Sequence, residues 1–292
     1  MSLAPDFMPR WIAAAGMGRG QAPPPAQPFF MQDLDLMVEE MKAAARSGVA
    51  CIVDGGHDDM GRDLDFLRRL SLESGMPIVA SCGYYAQPFY PAKIATMTED
   101  EIFADLVHTA STQPVGALGE IGTWDFMTPD ERKVFRAVAR AHLATNLPIF
   151  THTAYGKGAI EQLDLLESMG VKPQRIAIGH VGGLADPKAE VVKEICKRGG
   201  FVGYDRQGGA GDARNVPQIL ALIEAGYAAN LLFASDFSSG TQLLRNHGPG
   251  YAKTLTIFVP KLKEAGVKED TLHQILVDNP RRFLAFEPKK KR

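Results

Sequence analysis

Short apolar segments alternate with amphipathic helical segments along most of this chain. Seven segments rich in β-branched and apolar residues are expected to form strands, at Ala50–Asp54, Pro77–Ser81, Val115–Ile121, Pro148–Thr151, Arg175–Gly179, Phe201–Tyr204 and Leu231–Ala234. These segments are continuously apolar, which is typical of strands covered on both faces. Regular strand–helix alternation of this kind predicts right-handed crossovers and a parallel sheet.

The segments between the predicted strands carry helix signals. Leu34–Ser47 places its apolar residues close to a period of 3.6. The sequence Thr128-Pro-Asp-Glu131 has the capping-box pattern with proline at the first helical position, and it predicts the start of a helix that continues over Lys133–Thr145. Gly199-Gly200 and Gly226 stand where helices are expected to end. Each predicted strand is therefore followed by a helix.

The length of 292 residues suits a single α/β barrel, which typically takes about 250 residues. We therefore expect a (β/α)8 TIM barrel over residues 33–286, after an irregular N-terminal segment at residues 1–32 and before a basic tail at residues 287–292. The first strand is apparently missing or atypical, since Trp11–Ala15 is only a weak candidate. An open doubly wound sheet is an alternative, but it lacks the Gly-x-Gly-x-x-Gly turn after a first strand.

Polar residues stand where several predicted strands end. Glu120, His152, His180 and Asp236 come at the ends of the third, fourth, fifth and seventh segments. Active sites of parallel α/β folds lie at the C-terminal ends of the strands. Two imidazoles and two carboxylates therefore meet on one rim, and zinc, iron and manganese accept such ligands. The pattern predicts a metal site.

Each of these residues also has a structural interpretation. A single histidine at a strand end is more often a hydrogen-bonded structural residue than a ligand. Glu120 could hold a loop through an arginine, and Asp236 could cap the following helix. Two histidines on consecutive strands, with an acid before and after them, favour the metal.

Several short motifs follow one another in a recognisable order. They are Gly119-Glu-Ile-Gly-Thr123, Thr151-His-Thr153, Ile178-Gly-His180, Tyr204-Asp-Arg206, Ser235-Asp236 and Asn279-Pro-Arg-Arg-Phe-Leu284. With these motifs the chain resembles the phosphotriesterase family of the amidohydrolase superfamily, from about Leu34 to Phe286. The resemblance implies a (β/α)8 barrel with a metal pair at the strand ends.

The resemblance also implies roles for individual residues. Glu120 stands where one subgroup has a glutamate in place of the bridging carboxylated lysine. His152 and His180 would bind the more exposed metal. Asp236 would bind the more buried metal and relay a proton.

The chain departs from the family at one point. Family members carry a His-x-His pair on the first strand, and the sequence contains no His-x-His. Three explanations are open: a truncated or misplaced start, which we favour, a one-metal variant held by Glu120, His152 and His180, or a substitute ligand supplied by His57. His57 could instead order its acidic loop, Asp58-Asp59.

The expected reaction is metal-dependent hydrolysis. A divalent cofactor, expected to be one or two Zn²⁺ ions, lowers the pKa of bound water toward about 7. The resulting hydroxide would attack a lactone, a carboxylic ester or an organophosphate ester, with Asp236 as the proton acceptor. Tyr85 and Arg206 are candidate substrate-binding residues at the mouth, although Arg206 could equally form an ion pair with Asp205 or a salt bridge at the rim. The rival interpretation is a catalytically impaired metal- or ligand-binding barrel, for which the absent histidine pair is the evidence.

Charge and hydropathy set further limits. A net charge of -2 provides no electrostatic basis for binding nucleic acid or a membrane surface. No apolar run approaches the roughly 20 residues of a membrane span, and no signal peptide is recognisable. The expectations are a cytoplasmic location and a small-molecule ester substrate. A missing first strand would leave apolar surface exposed, which predicts self-association, such as a homodimer.

Overall fold

The structure is a computed structural model that describes residues 29–289. The candidate strand at Trp11–Ala15 and most of the predicted N-terminal segment lie outside the described residues, as do the last three residues of the predicted tail. The fold and site below are built from the described part of the chain.

Seven parallel strands form one sheet in chain order. They are β1 (Ile52–Val53), β2 (Ile78–Cys82), β3 (Val115–Gly122), β4 (Ile149–His152), β5 (Ile176–Ile178), β6 (Phe201–Tyr204) and β7 (Leu231–Phe233). Each strand pairs with the next in parallel register. All seven predicted strands are confirmed, with ends that shift by one or two residues. Within residues 29–289, β1 and β7 are the edges of the sheet.

Helices follow the strands as the alternation predicted. They are α1 (Leu34–Arg46), α2 (Leu64–Ser74), α3 (Lys93–Thr96), α4 (Glu99–Thr112), α5 (Pro129–Thr145), α6 (Ala159–Ser168), α7 (Glu190–Lys197), α8 (Asp212–Glu224), α9 (Val259–Glu264), α10 (Glu269–His273) and α11 (Asn279–Leu284). The turns Thr254–Phe258 and Gln274–Asp278 are π-helical and lead into α9 and α11. The capping box is confirmed, because Thr128 and Glu131 satisfy each other's backbone N–H groups at the start of α5.

The main core lies between the sheet and its helices. Leu118, Ile149 and Ile176 on neighbouring strands are fully buried, and they belong to one cluster with Phe135 of α5 and Leu163 of α6. Full burial of such a side chain contributes about 1.5–3 kcal/mol. The packing holds β3, β4 and β5 firmly side by side, so residues at their C-terminal ends have a rigid support.

Candidate metal centre

Three predicted ligands meet at the C-terminal ends of β3, β4 and β5. The Glu120 Oε1 atom lies 2.7 Å from His180 Nε2 and 3.4 Å from His152 Nδ1. The two imidazole rings are edge to face, with centroids 4.5 Å apart. One carboxylate oxygen and two ring nitrogens therefore converge within 4.8 Å of one another. Glu120 faces these two histidines, whereas the sequence also allowed it to hold a loop through an arginine.

A second group shares one residue with the first. His180, Asp205 and Asp236 each bring a potential ligand atom within 4.8 Å of the others. The Oδ2 atom of Asp205 lies 2.7 Å from His180 Nδ1 and accepts a hydrogen bond from the His180 backbone N–H at 3.0 Å. Asp205 thus fixes the ring of His180 so that its other nitrogen faces Glu120. This carboxylate–imidazole arrangement is typical of histidines that bind metals.

The donor set fits a divalent ion. Zinc bonds to imidazole nitrogen and carboxylate oxygen are about 2.0–2.2 Å, so donors around a tetrahedral ion lie about 3.3 Å apart. The two contacts of Glu120 Oε1, at 2.7 and 3.4 Å, need only small shifts to reach that spacing. Glu120, His152 and His180 are thus the residues of the described chain best placed to hold an ion, with Asp236 available from the adjoining group.

Electrostatics couple the carboxylate to the imidazoles. Burial alone would raise the pKa of Glu120, but the facing His180 and His152 hold it well below its usual range. Burial lowers the pKa of His180, but Asp205 and Glu120 reverse this effect and raise it well above the ordinary value. Burial and the neighbouring His180 lower the pKa of His152. A carboxylate therefore stays ionised at the centre of the cluster, as a cation ligand must.

Asp236 and Arg206 form an ion pair beside the cluster. Arg206 Nε donates to Asp236 Oδ2 at 3.0 Å, and it lies 3.9 Å from Asp205 Oδ1. The guanidinium also lies over the ring of Tyr155, 4.9 Å from the centroid. Burial lowers the pKa of Arg206, but Asp236 and Asp205 outweigh it and raise the pKa overall. The closer partner of Arg206 is Asp236, so of the two pairings that the sequence left open, Asp205 or a salt bridge at the rim, the structure has the second as the shorter contact.

Tyr85 lies deeper than a residue at the site mouth. Its side chain is 3% exposed, and its hydroxyl lies 2.9 Å from His152 Nδ1. The Trp124 ring stacks on the His152 ring, with centroids 5.7 Å apart and planes 14° from parallel. Both aromatic residues contact His152 and shape its surroundings. A direct substrate contact for Tyr85 stays a prediction.

The structure does not bring His57 into either group of ligand atoms among the described residues. Its Nδ1 contacts Asp59 Oδ1, and its Nε2 lies 2.9 Å from the backbone oxygen of Glu120. Burial lowers the pKa of His57, but the charge of Asp59 and the Glu120 carbonyl raise it above the ordinary value. The contact with Asp59 agrees with the alternative in which His57 orders its acidic loop.

Backbone geometry at the rim is unusual. His180, Arg206 and Asp236 have φ values of 57°, 54° and 47°, in the left-handed region that side chains rarely adopt. Each such residue costs about 1–3 kcal/mol, and such conformations cluster at functional sites. At Gly119, where φ is 155°, an added Cβ would come 2.5 Å from Phe150 Cδ1. Only glycine therefore fits directly before Glu120.

Two charged residues of this region were not predicted from the sequence as part of the metal centre. Asp205 stands at the end of β6, as the other candidates stand at theirs, so its position was a signal that could have identified it. Lys253 is buried, and its pKa is lowered by burial despite the charges of Asp236, Asp205 and Asp212. Lys253 lies far along the chain from any strand end, and no local pattern marks it.

The fold and the cluster of acidic and histidine side chains are those of a barrel of the amidohydrolase type, and comparison with known proteins identifies the family. The family model of the phosphotriesterase family matches residues 30–284. The chain belongs to this family. Both the family and the (β/α)8 barrel class expected from the sequence are confirmed.

Named relatives come from bacteria and from vertebrates. The phosphotriesterase homology protein of Escherichia coli is 31% identical over 255 residues, which cover 84% of this chain and 87% of that protein. An N-acetyltaurine hydrolase of Salmo salar is 28% identical over 279 residues, covering 89% of this chain and 80% of that protein. The solved structure of a lactonase from Listeria monocytogenes superposes with a TM-score of 0.80 at 27% identity, covering 87% of each chain. Membership of this family supports a hydrolase of the phosphotriesterase type. Within residues 29–289, no helix has both the length and the apolar character that crossing a membrane requires.

Proposed function

We propose that this chain is a metal-dependent hydrolase that cleaves a lactone, a carboxylic ester or an organophosphate ester. The observation that carries the proposal is the convergence of Glu120 Oε1, His152 Nδ1 and His180 Nε2. Asp205 contacts the other ring nitrogen of His180 and so orients this ring. Glu120, His152 and His180 would hold one ion, expected to be Zn²⁺, and Asp236 would contribute to a second. When bound, a divalent ion would supply the Lewis acidity that lowers the pKa of a water toward about 7.

Residues of the chain would accept the proton, bind the substrate and orient the ligands. Asp236 would accept the proton of the attacking water, and its closest ion-pair contact, with Arg206 at 3.0 Å, supports this role. Arg206 presents a delocalised cation beside it, suited to a carbonyl or phosphoryl oxygen of the substrate. Asp205 keeps His180 in one orientation, so that the ligand set does not reorganise during turnover.

The relatives support two kinds of bond as the one that is cleaved, an ester and an amide. The lactonase from Listeria monocytogenes favours a cyclic ester. The N-acetyltaurine hydrolase of Salmo salar, which covers a similar share of this chain, favours an amide as the second candidate. Loops at the barrel mouth set substrate choice, and they vary independently of the fold.

The test begins with metal content. Elemental analysis of the purified protein should find one or two divalent ions per chain, and His152→Ala or His180→Ala should remove them. Metal-stripped protein reloaded with Zn²⁺ would then be assayed with a γ-lactone, an aryl carboxylic ester, a dialkyl aryl phosphate and N-acetyltaurine. Hydrolysis that depends on the added metal supports the proposal. Metal bound at one equivalent with hydrolysis at background would support the alternative, an impaired metal-binding barrel. Stoichiometric metal in both alanine variants would refute the ligand assignment.

A further inference from the structure

A buried ion pair follows β1, outside the candidate ligand set. Its members are His57 and Asp59, whose side chains are each 1% exposed. Burying a charged pair is costly, so the pair is maintained only where further hydrogen bonds use its remaining polar atoms. The contacts of these atoms lead directly to the candidate metal ligands.

Asp59 uses its two carboxylate oxygens on two different partners. Oδ1 contacts His57 Nδ1, and Oδ2 accepts a hydrogen bond from the backbone N–H of Tyr85 at 2.9 Å. The carboxylate thereby connects the loop after β1 to the segment after β2. One side chain thus fixes the position of two segments of the rim.

Each partner of Asp59 then contacts one candidate ligand. His57 Nε2 donates to the backbone oxygen of Glu120 at 2.9 Å, and the Tyr85 ring packs edge-on against the His152 ring, with centroids 4.9 Å apart. Glu120 and His152 face each other at 3.4 Å. The contacts therefore form a closed ring, which runs from Glu120 through His57, Asp59, Tyr85 and His152 back to Glu120.

We propose that Asp59 is a positioning residue of the metal centre, which holds Glu120 in place through His57 and His152 in place through Tyr85. The inference rests on the proposed function, since it assigns Glu120 and His152 as ligands. It gives His57 a role other than that of a substitute ligand. Both ring nitrogens of His57 are engaged by oxygen atoms of Asp59 and Glu120, and His57 lies in neither group of candidate ligand atoms among the described residues.

This closed set of contacts explains why the costly ion pair between His57 and Asp59 is buried next to the candidate ligands. A closed set of contacts restricts the two ligands together, so that their donor atoms stay near the spacing an ion requires. An ordinary loop-stabilising pair would need only the contact between His57 and Asp59. It would not need the second oxygen of Asp59 or the second nitrogen of His57 to connect to the ligand set.

The first experiment compares two neighbouring aspartates. Asp59→Ala removes the acceptor shared by His57 and Tyr85, and we expect the apparent Kd for Zn²⁺ to rise about 10–100-fold, as for other residues that support metal ligands. Asp58→Ala is the matched control, because Asp58 is 73% exposed and its contact is with Arg62. Its Kd should equal that of the wild type. Competition with a chromophoric chelator measures both values, and thermal melting of the metal-free proteins shows whether each variant folds.

The second experiment separates positioning from loop stability at His57. Glutamine can place its amide nitrogen near the position of Nε2 and keep the bond to the Glu120 carbonyl, whereas asparagine can replace only Nδ1 and keep the contact with Asp59. The proposal expects His57→Gln to bind Zn²⁺ more tightly than His57→Asn. It also expects the visible absorption of the Co²⁺-loaded His57→Asn protein to differ from that of the wild type, because the ligand geometry changes. This pair decides the question if Asp59→Ala does not fold.

The outcomes distinguish the two proposals. A wild-type protein that binds no Zn²⁺ would refute the proposed function itself. A wild-type protein that binds Zn²⁺, together with a folded Asp59→Ala variant of equal affinity, would refute only the positioning role. Equal affinities and identical Co²⁺ spectra for His57→Gln and His57→Asn would refute it as well.

Discussion

Replacing Glu120 by glutamine tests the centre of the site with almost no change of shape. The Glu120 carboxylate oxygen faces His180 Nε2 at 2.7 Å and His152 Nδ1 at 3.4 Å. The amide oxygen of glutamine can keep one of these contacts as a neutral hydrogen bond. The negative charge, which both imidazoles and any bound cation require, is lost.

The substitution should weaken metal binding more than it lowers the stability of the metal-free fold. For the metal-free fold, a charge-assisted bond worth about 1.5–3 kcal/mol becomes a neutral bond worth about 0.5–1.5 kcal/mol, a loss of about 1–1.5 kcal/mol. For a chain of this length that loss lowers Tm by about 2–6 °C. For metal binding, residues that only support ligands change affinity about 10–100-fold. A group that offers its own oxygen should therefore cost at least about 100-fold, or about 2.7 kcal/mol.

The assay measures Tm without metal and the Kd for Zn²⁺ on the same samples. Glu131→Gln is the matched control, because Glu131 is a fully buried glutamate whose oxygens accept hydrogen bonds from the backbone of Thr128 and Gln87. It should lower Tm by a similar amount and leave the Kd unchanged. The reasoning is refuted if Glu120→Gln binds Zn²⁺ as tightly as the wild type, or if Glu131→Gln weakens binding just as much.

Three further predictions address neighbouring groups. Asp205→Asn removes the charge that orients His180, so titration calorimetry should show Zn²⁺ affinity about 10–100-fold weaker; unchanged affinity would contradict the orienting role. Arg206→Gln removes the cation that is paired with the partly exposed Asp236, so this carboxylate becomes available to a metal ion. Competition titration should show metal binding that is tighter by about 1 kcal/mol or less. Weaker metal binding in the variant would contradict this prediction. Burial lowers the pKa of His142 below 6.5, so below about pH 6.5 the unfolded chain takes up a proton that the folded chain resists. As the pH falls below about 6.5, the free energy of unfolding should therefore decrease by at most about 1.4 kcal/mol per pH unit. Urea denaturation at several pH values should show a smaller decrease for His142→Asn. Equal decreases in the two proteins would show that His142 does not cause the loss of stability.

The sequence was most informative where the local pattern and the tertiary environment agree. The strands at residues 115–122 and 149–152 are apolar up to the polar residues near their C-terminal ends, because both faces are covered there, so periodicity and composition alone located them. The rule that parallel strands end on a common rim then brought Glu120, His152 and His180 together correctly.

Side-chain directions in the connecting loops could not be read in the same way. His57 and Asp59 are two residues apart in an irregular segment, and their contacts with Glu120 and Tyr85 depend on how two separate loops fold back. The strong pair between Arg206 and Asp236 joins two strand ends whose side chains could have turned either way. Short-range pattern identifies such residues as polar, and only the packed structure selects their partners.

The left-handed backbone at His180 shows why the rim tolerates strain. In that conformation the backbone N–H of His180 donates to Asp205 at 3.0 Å, while its ring reaches the same carboxylate with Nδ1 and Glu120 with Nε2. A residue that continued β5 in extended geometry would send its side chain to one face and its N–H into the sheet, so it could not make all three contacts. The cost of about 1–3 kcal/mol is small beside the fully buried core under the rim. The strain is therefore a consequence of placing one imidazole between two carboxylates, which is the arrangement that a cation site needs.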